Sequence, residues 1–323
     1  MNAIKLRMSY SLISRLSLIV FVAIHSNSYA ETFAPSLNEL TQTIKESEQQ
    51  YTDIVDGAEK HIRWYQGKAV KSELSFVYIH GFSASRQELS PVTEQLADQF
   101  SANTFYTRLS GHGRSDDAMA EATVNHWKKD LQDAYNIGRA IGNQVIFIST
   151  STGGTLVTWL LAQEDVEQPL GNIMISPNYA VQSSSAWLLK SSWGMKIAKL
   201  INGEYNSFTP ISDAHAQYWT ERYPLDAVTP VMQLLDEVNK LDKQHITSPQ
   251  FIVYSPDDKV IKPEKVVTVS HTFINSEVRL EPYRKSTDPY QHVLAGIACS
   301  PESTDHMVNL LSTYVTELLN KPM

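Results

Sequence analysis

Reactive side chains follow short apolar runs at several places in this chain. His80-Gly81-Phe82 follows "LSFVYI", the cluster "STSTGG" (149–154) follows "VIFI", Asp257-Asp258 follows "FIVYSP", and His292 follows "VRLEPY" after a loop. Hydroxyl, carboxylate and imidazole thus occur in the order Ser, Asp, His. A hydroxyl is a weak nucleophile until a base takes its proton, and the base needs an acid to hold it. That trio points to acyl transfer through a covalent intermediate. Each role has two candidates: Ser149 and Ser151, Asp257 and Asp258, His292 and His306. The ten histidines are scattered, with no His-x3-His pair and no carboxylate-rich loop, so no metal is expected, and acyl transfer by such a trio requires no organic cofactor.

The elements that must position these groups alternate. Buried-strand patterns are expected at Leu74–His80, Ala102–Leu109, "QVIFIS", Gly171–Asn178, "QFIVY" and "EVRLEPY". Helices are expected at "SRQELSPVTEQLADQF", at "ATVNHWKKDLQDAYNIGRAIG" and at the closing "TDHMVNLLSTYVTELL". Strand and helix in alternation mean an α/β fold, a mostly parallel sheet covered on both faces. In such sheets ligands bind beyond the carboxyl ends of the strands, where the reactive residues fall. Residues 179–249 carry Trp187, Trp193 and Trp219 and no clear strand pattern. The stretch is too long for a loop in a compact domain and reads as a helical cap insertion. Within it Leu189, Trp193, Ile197, Leu200 and Ile201 share one helical face, a surface for the core, for an acyl chain or for lipid.

Several motifs together resemble the α/β hydrolases, in particular the serine-aminopeptidase-type group of monoacylglycerol lipases, lysophospholipases and carboxylesterases. Ser149-x-Ser151-x-Gly153 resembles their G-x-S-x-G nucleophile elbow, with serine where glycine is usual. "IHGFSAS" is similar to their oxyanion loop, "RLSGHGRSDD" to their "GHGxS" segment with the Trp-x-x-Asp of "HWKKDL" after it, "SPDDKVIKP" to the acid segment, and "YQHVLAGIACSPE" to the base segment. The resemblance covers residues 60–320. It implies Ser151 as nucleophile, His292 as base, Asp258 as orienting acid, and the backbone N–H groups of Phe82 and Thr152 as oxyanion hole. His80, Gly81, Trp187 and Trp193 become candidates for substrate contact. The expected activity is hydrolysis of a monoacylglycerol, lysophospholipid or small ester. A thioesterase or aminopeptidase on the same triad, or a non-catalytic binding protein, is the alternative.

The remaining features bound the setting. Residues 1–30 hold Lys5, Arg7 and Arg15, the apolar run "LSLIVFVAI" and a small-residue site before Glu31, the layout of a secretory signal peptide. Residues 31–66 read as a helical segment, and 67–178 with 250–323 as the hydrolase core. Loss of residues 1–30 takes three cations and no acid, so the net charge goes from −8 to −11. An acidic chain without a basic block argues against a nucleic-acid partner and leaves a small or lipid ester, with transient membrane contact through the cap. Cys299 stands alone, so no internal disulfide accompanies export to the periplasm or medium.

Overall fold

A computed structural model of the protein describes residues 36–183 and 191–321. The expected signal peptide and Trp187 lie outside the described residues. In chain order the elements are α1 (Leu37–Gln49), β1 (His61–Arg63), β2 (Ser72–Ile79), α2 (Val92–Gln99), β3 (Asn103–Tyr106), α3 (Val124–Ile141), β4 (Gly142–Thr150), α4 (Thr152–Leu161) and β5 (Gly171–Ile175). The insertion holds α5 (Ser192–Asn202), β6 (Tyr205–Ser207), α6 (Asp213–Tyr218), β7 (Arg222–Pro224) and α7 (Val228–Lys240). Then come β8 (Gln250–Tyr254), α8 (Pro263–Ser270), β9 (Val278–Pro282) and α9 (Thr304–Leu319).

The main sheet has seven strands in the order β1-β3-β2-β4-β5-β8-β9, all parallel except the β1–β3 pair. Alternation along β2 shows why both faces are covered. Val77 and Ile79 point into one apolar layer, shared with Trp127 of α3 and Leu156 of α4. Phe76 and Tyr78 point into the other, shared with Leu96 of α2 and Met307 of α9. From β2 the chain passes to β3 on one side and then returns to β4 on the other. The carboxyl ends of β2 and β4 therefore flank a crevice where the strand order reverses, the usual ligand site of such sheets.

Three local features differ from the sequence expectation. "HIR" forms β1, too short for any periodic signal and held as an antiparallel edge on β3. The helix expected from Ser85 breaks at Ser90-Pro91 into a 3-10 turn (Arg86–Leu89) and α2, because proline has no N–H to continue the ladder. The insertion is not purely helical: β6 and β7 pair antiparallel within it.

Among the described residues no helix is long and apolar enough to cross a membrane.

Candidate active site

β4 ends at Thr150 and α4 begins at Thr152, so Ser151 alone makes the turn. It does so at φ 51° and ψ −117°, a backbone conformation that costs a non-glycine residue free energy and is found at strained functional turns. Two contacts hold it there, one to the end of β5 and one to the segment just after it: the Ser151 N–H donates to Ile175 O and the Asn178 N–H to Ser151 O, both at 3.0 Å. Gly153 is required for a different reason. A Cβ on it would lie 2.3 Å from Ile79 O and 2.8 Å from His80 O, so only glycine lets the first turn of α4 pass β2 this closely. Ser149, the residue standing for the elbow's first glycine, is inside β4 with no exposure, and its hydroxyl donates to Ile173 O at 3.3 Å.

The other two groups arrive on loops after β8 and β9. Asp258 accepts the Val260 and Ile261 N–H groups with Oδ1, at 2.8 and 2.9 Å, which leaves Oδ2 for the Nδ1–H of His292 at 2.7 Å. With that proton on Nδ1, the His292 Nε2 is an acceptor, and it faces Ser151 Oγ at 3.0 Å. Burial alone would push the imidazolium pKa of His292 down. The Asp258 carboxylate, with Glu88 and Asp288 behind it, reverses this and holds it above the ordinary histidine value. Asp288 also shapes the loop, accepting the His292 and Val293 N–H groups with one oxygen, each at 2.9 Å. The rival candidates sit elsewhere. Asp257 is exposed and pairs with Arg284, and His306 packs its ring against Tyr283 at 5.4 Å.

Phe82 and Thr152 both line the cavity beside Ser151, and among the described residues neither N–H donates to a protein acceptor. The Phe82 ring is gripped edge-on by His112, Trp127 and Tyr223 at 5.6, 6.2 and 5.2 Å. The Trp-x-x-Asp motif explains part of that grip. Trp127 Nε1 donates to Ser110 O at 3.0 Å and Asp130 accepts the Ser110 N–H at 2.7 Å, so both tie the "GHG" loop against α3. From the other side the buried Glu48 of α1 clasps Arg108 at 2.7 Å.

Ser151 and His292 open into a cavity of about 400 Å³. Phe82, Val260 and Val293 supply its core wall; Phe208, Trp219, Tyr223, Val228 and Val231 of the insertion supply the other. His215 adds one polar group to that wall. Its Nδ1 accepts the Ile211 N–H at 3.2 Å, its ring stacks on Phe208, and burial lowers its pKa below the ordinary histidine value.

Two expected substrate contacts are not among the residues that line the cavity. His80 is wholly buried with both nitrogens engaged: Nδ1–H donates to Gly81 O at 2.8 Å and Nε2 accepts the Leu109 N–H at 3.1 Å. Burial depresses its pKa to about 4, so it joins two loops as a neutral ring instead of meeting substrate. Trp193 is 75% exposed and outside the cavity, because α5 buries Met195 and Ala198 against Leu225 and turns its broader apolar stripe outward. Gly81 stays at the site as a spacer, described below. Among the described residues no group of histidines, cysteines or carboxylates could hold a metal ion. Sequence reasoning missed Glu88, His215, Trp219 and Asp288. Only Asp288, in the turn-forming "STDP", carried a local signal.

The sequence profile of the family described as serine aminopeptidase, S33 (Hydrolase_4) matches residues 71–286. The chain belongs to this family. Its fold is that of the α/β hydrolases. A solved structure from the pair LipS and LipT, metagenome-derived lipolytic enzymes, superposes with a TM-score of 0.65 at 18% identity, over 82% of this chain and 99% of that one. The monoacylglycerol lipase of Paleococcus ferrophilus gives 0.58 at 14% identity, over 80% and 98%. A soluble variant of monoglyceride lipase from Saccharomyces cerevisiae gives 0.58 at 13% identity, over 80% and 91%. At these identities the likeness speaks for the shared fold. No curated protein sequence matches the chain.

Proposed function

We propose that this S33 family member is a serine hydrolase of carboxylic esters, and that it works through an acyl-enzyme on Ser151. The observation that carries the reading is the hydrogen-bonded chain Ser151–His292–Asp258 opening into an apolar cavity. In the first step Ser151 Oγ attacks the ester carbonyl while His292 Nε2 takes its proton. The carbonyl oxygen, now an anion, sits against the N–H groups of Phe82 and Thr152, a pairing whose loss typically slows catalysis by about 10²–10³-fold. Collapse expels the alcohol, which receives the proton from His292. Water then attacks the acyl-enzyme, gives its proton to His292, and releases the carboxylic acid and Ser151. Asp258 holds the Nδ1–H tautomer and favours the imidazolium that forms twice per cycle.

The cavity is mostly apolar, with His215, Asn178 and Asn206 among its polar contacts, which suits an acyl chain and a small hydroxyl-bearing alcohol such as a monoacylglycerol. Residues 1–30 act as a signal peptide in this reading, and the outward stripe Trp193, Leu200 and Ile201 meets a membrane or lipid surface transiently. Fluorophosphonate labelling tests the nucleophile: wild type takes one label, and Ser151→Ala takes none. A p-nitrophenyl ester series from acetyl to palmitoyl, run beside monoacylglycerols and an aminoacyl p-nitroanilide, tests the substrate class. Turnover of the anilide alone would move the assignment from ester to amide, and an unlabelled wild type would end it.

A further inference from the structure

A second buried carboxyl stands beside the proposed nucleophile and has no part in the triad. Glu88 is 2% exposed and forms part of the cavity wall. Its Oε2 accepts the Gly81 N–H at 2.8 Å and the Tyr78 hydroxyl at 3.0 Å. The Tyr78 hydroxyl in turn accepts from Thr150 Oγ1 at 3.1 Å, so β2 and β4 both brace the carboxyl. Gly81 is the spacer: a Cβ on it would lie 2.8 Å from Glu88 Oε1 and 3.2 Å from Ser151 Cβ. One methyl width separates the carboxyl from the nucleophile.

We infer that Glu88 is a positioning residue for the proposed reaction, acting on the oxyanion loop through the Gly81 amide and on His292 through its charge. The inference rests on the ester-hydrolase reading. Gly81 precedes Phe82, whose N–H must point at the developing oxyanion. A bond that fixes the Gly81 amide fixes the start of that peptide, and preorganised donors are worth more than donors that must turn on demand. The charge acts separately. Facing Glu88 are Tyr78 on β2, Thr150 at the end of β4, and His292 and Cys299 on the loop after β9; Asp288 faces His292 and Cys299, and Glu94 on α2 faces Tyr78. Among these His292 is the group that becomes a cation. Burial pushes Glu88 up to about 7, against the Gly81 and Tyr78 hydrogen bonds and the His292 charge, which pull it down. It therefore gains its charge in the range where a histidine base titrates.

Two variants separate the effects. Glu88→Ala removes acceptor and charge, and is expected to lower kcat on a p-nitrophenyl ester about 30-fold, leaving KM within about two-fold. Glu88→Gln keeps an oxygen for the Gly81 N–H and removes the charge. It is expected to recover most of kcat at pH 8 and to move the acidic limb of the kcat/KM profile down by about half a pH unit. NMR titration of the His292 ring in Glu88→Gln is expected to show the same displacement, whether or not an ester is turned over. Wild-type kcat in a folded Glu88→Ala, or an unmoved His292 titration in Glu88→Gln, overturns the inference. Absence of fluorophosphonate label and ester turnover in the wild type is a separate failure, of the ester-hydrolase reading, and the His292 titration still decides Glu88.

Discussion

The elbow after β4 and the insertion between β5 and β8 supply opposite walls of one cavity, yet their side chains are fixed by different means. At the elbow the backbone settles everything. Ser151 is pinned through its N–H by the end of β5 and through its carbonyl by the Asn178 N–H just beyond it, and Gly153 admits β2 to within van der Waals reach. In the insertion side chains decide. Trp219 and Tyr223 reach the cavity, while the stripe predicted for α5 leaves Trp193, Leu200 and Ile201 at 75, 87 and 72% exposure. A backbone device is short and repeats from protein to protein; a wall made by packing has no motif. On the proposed reading, chemistry is concentrated in the first region and selectivity in the second.

Substitutions can break this division or sharpen it. The largest effect is expected at the elbow and its base: Ser151→Ala and His292→Ala each lower kcat about 10⁵–10⁶-fold, read with a p-nitrophenyl ester. His306→Ala, distant from the cavity, stays within about two-fold of wild type in the same assay. Asp258→Asn comes next, with a loss of about 10³–10⁴-fold from the wrong tautomer. The pH dependence follows from the raised His292 pKa. The base must be neutral to act, so activity falls as pH drops through a value above the ordinary histidine 6.5. In Asp258→Asn that limb moves to lower pH. Gly153→Ala tests the backbone device through stability: the clash with the Ile79 carbonyl is expected to cost about 2–4 kcal/mol, measured by denaturant titration. Smallest is the outward stripe. Trp193, Leu200 and Ile201 changed together to serine leave soluble-ester turnover within about two-fold and stability within about 1 kcal/mol, while binding to phospholipid vesicles falls. A large loss on the soluble ester would mean that the stripe shapes the cavity after all.

The same division governs what the sequence could reveal. The alternation of elements, the strands β2, β4, β5 and β8 and the whole of α9 follow from apolar runs and periodicity, because a parallel sheet buried on both faces writes itself as continuous apolar segments; β9, a half-buried edge strand, shows instead as alternating apolar and charged residues. The elbow and its neighbours were visible as spacing. Choosing Asp258 over Asp257 depended on resemblance, and the physical reason for it lies in the Val260 and Ile261 amides. His80 misled because a histidine after a strand looks reactive, whereas here both its nitrogens join loops. Glu88 gave no signal. Its importance comes from Gly81, Tyr78 and Thr150 meeting it in space, 7, 10 and 62 positions away along the chain.

The stitching of Ser151 into β5 has a consequence for how the protein comes apart. Its amide proton is bonded to a central strand's carbonyl, so it can exchange with solvent only when β4 and β5 separate. Hydrogen–deuterium exchange there should match the slowest amides of the sheet, and activity should vanish in the same denaturant transition as the backbone signal. The geometry of the proposed nucleophile and the integrity of the sheet form a single cooperative unit.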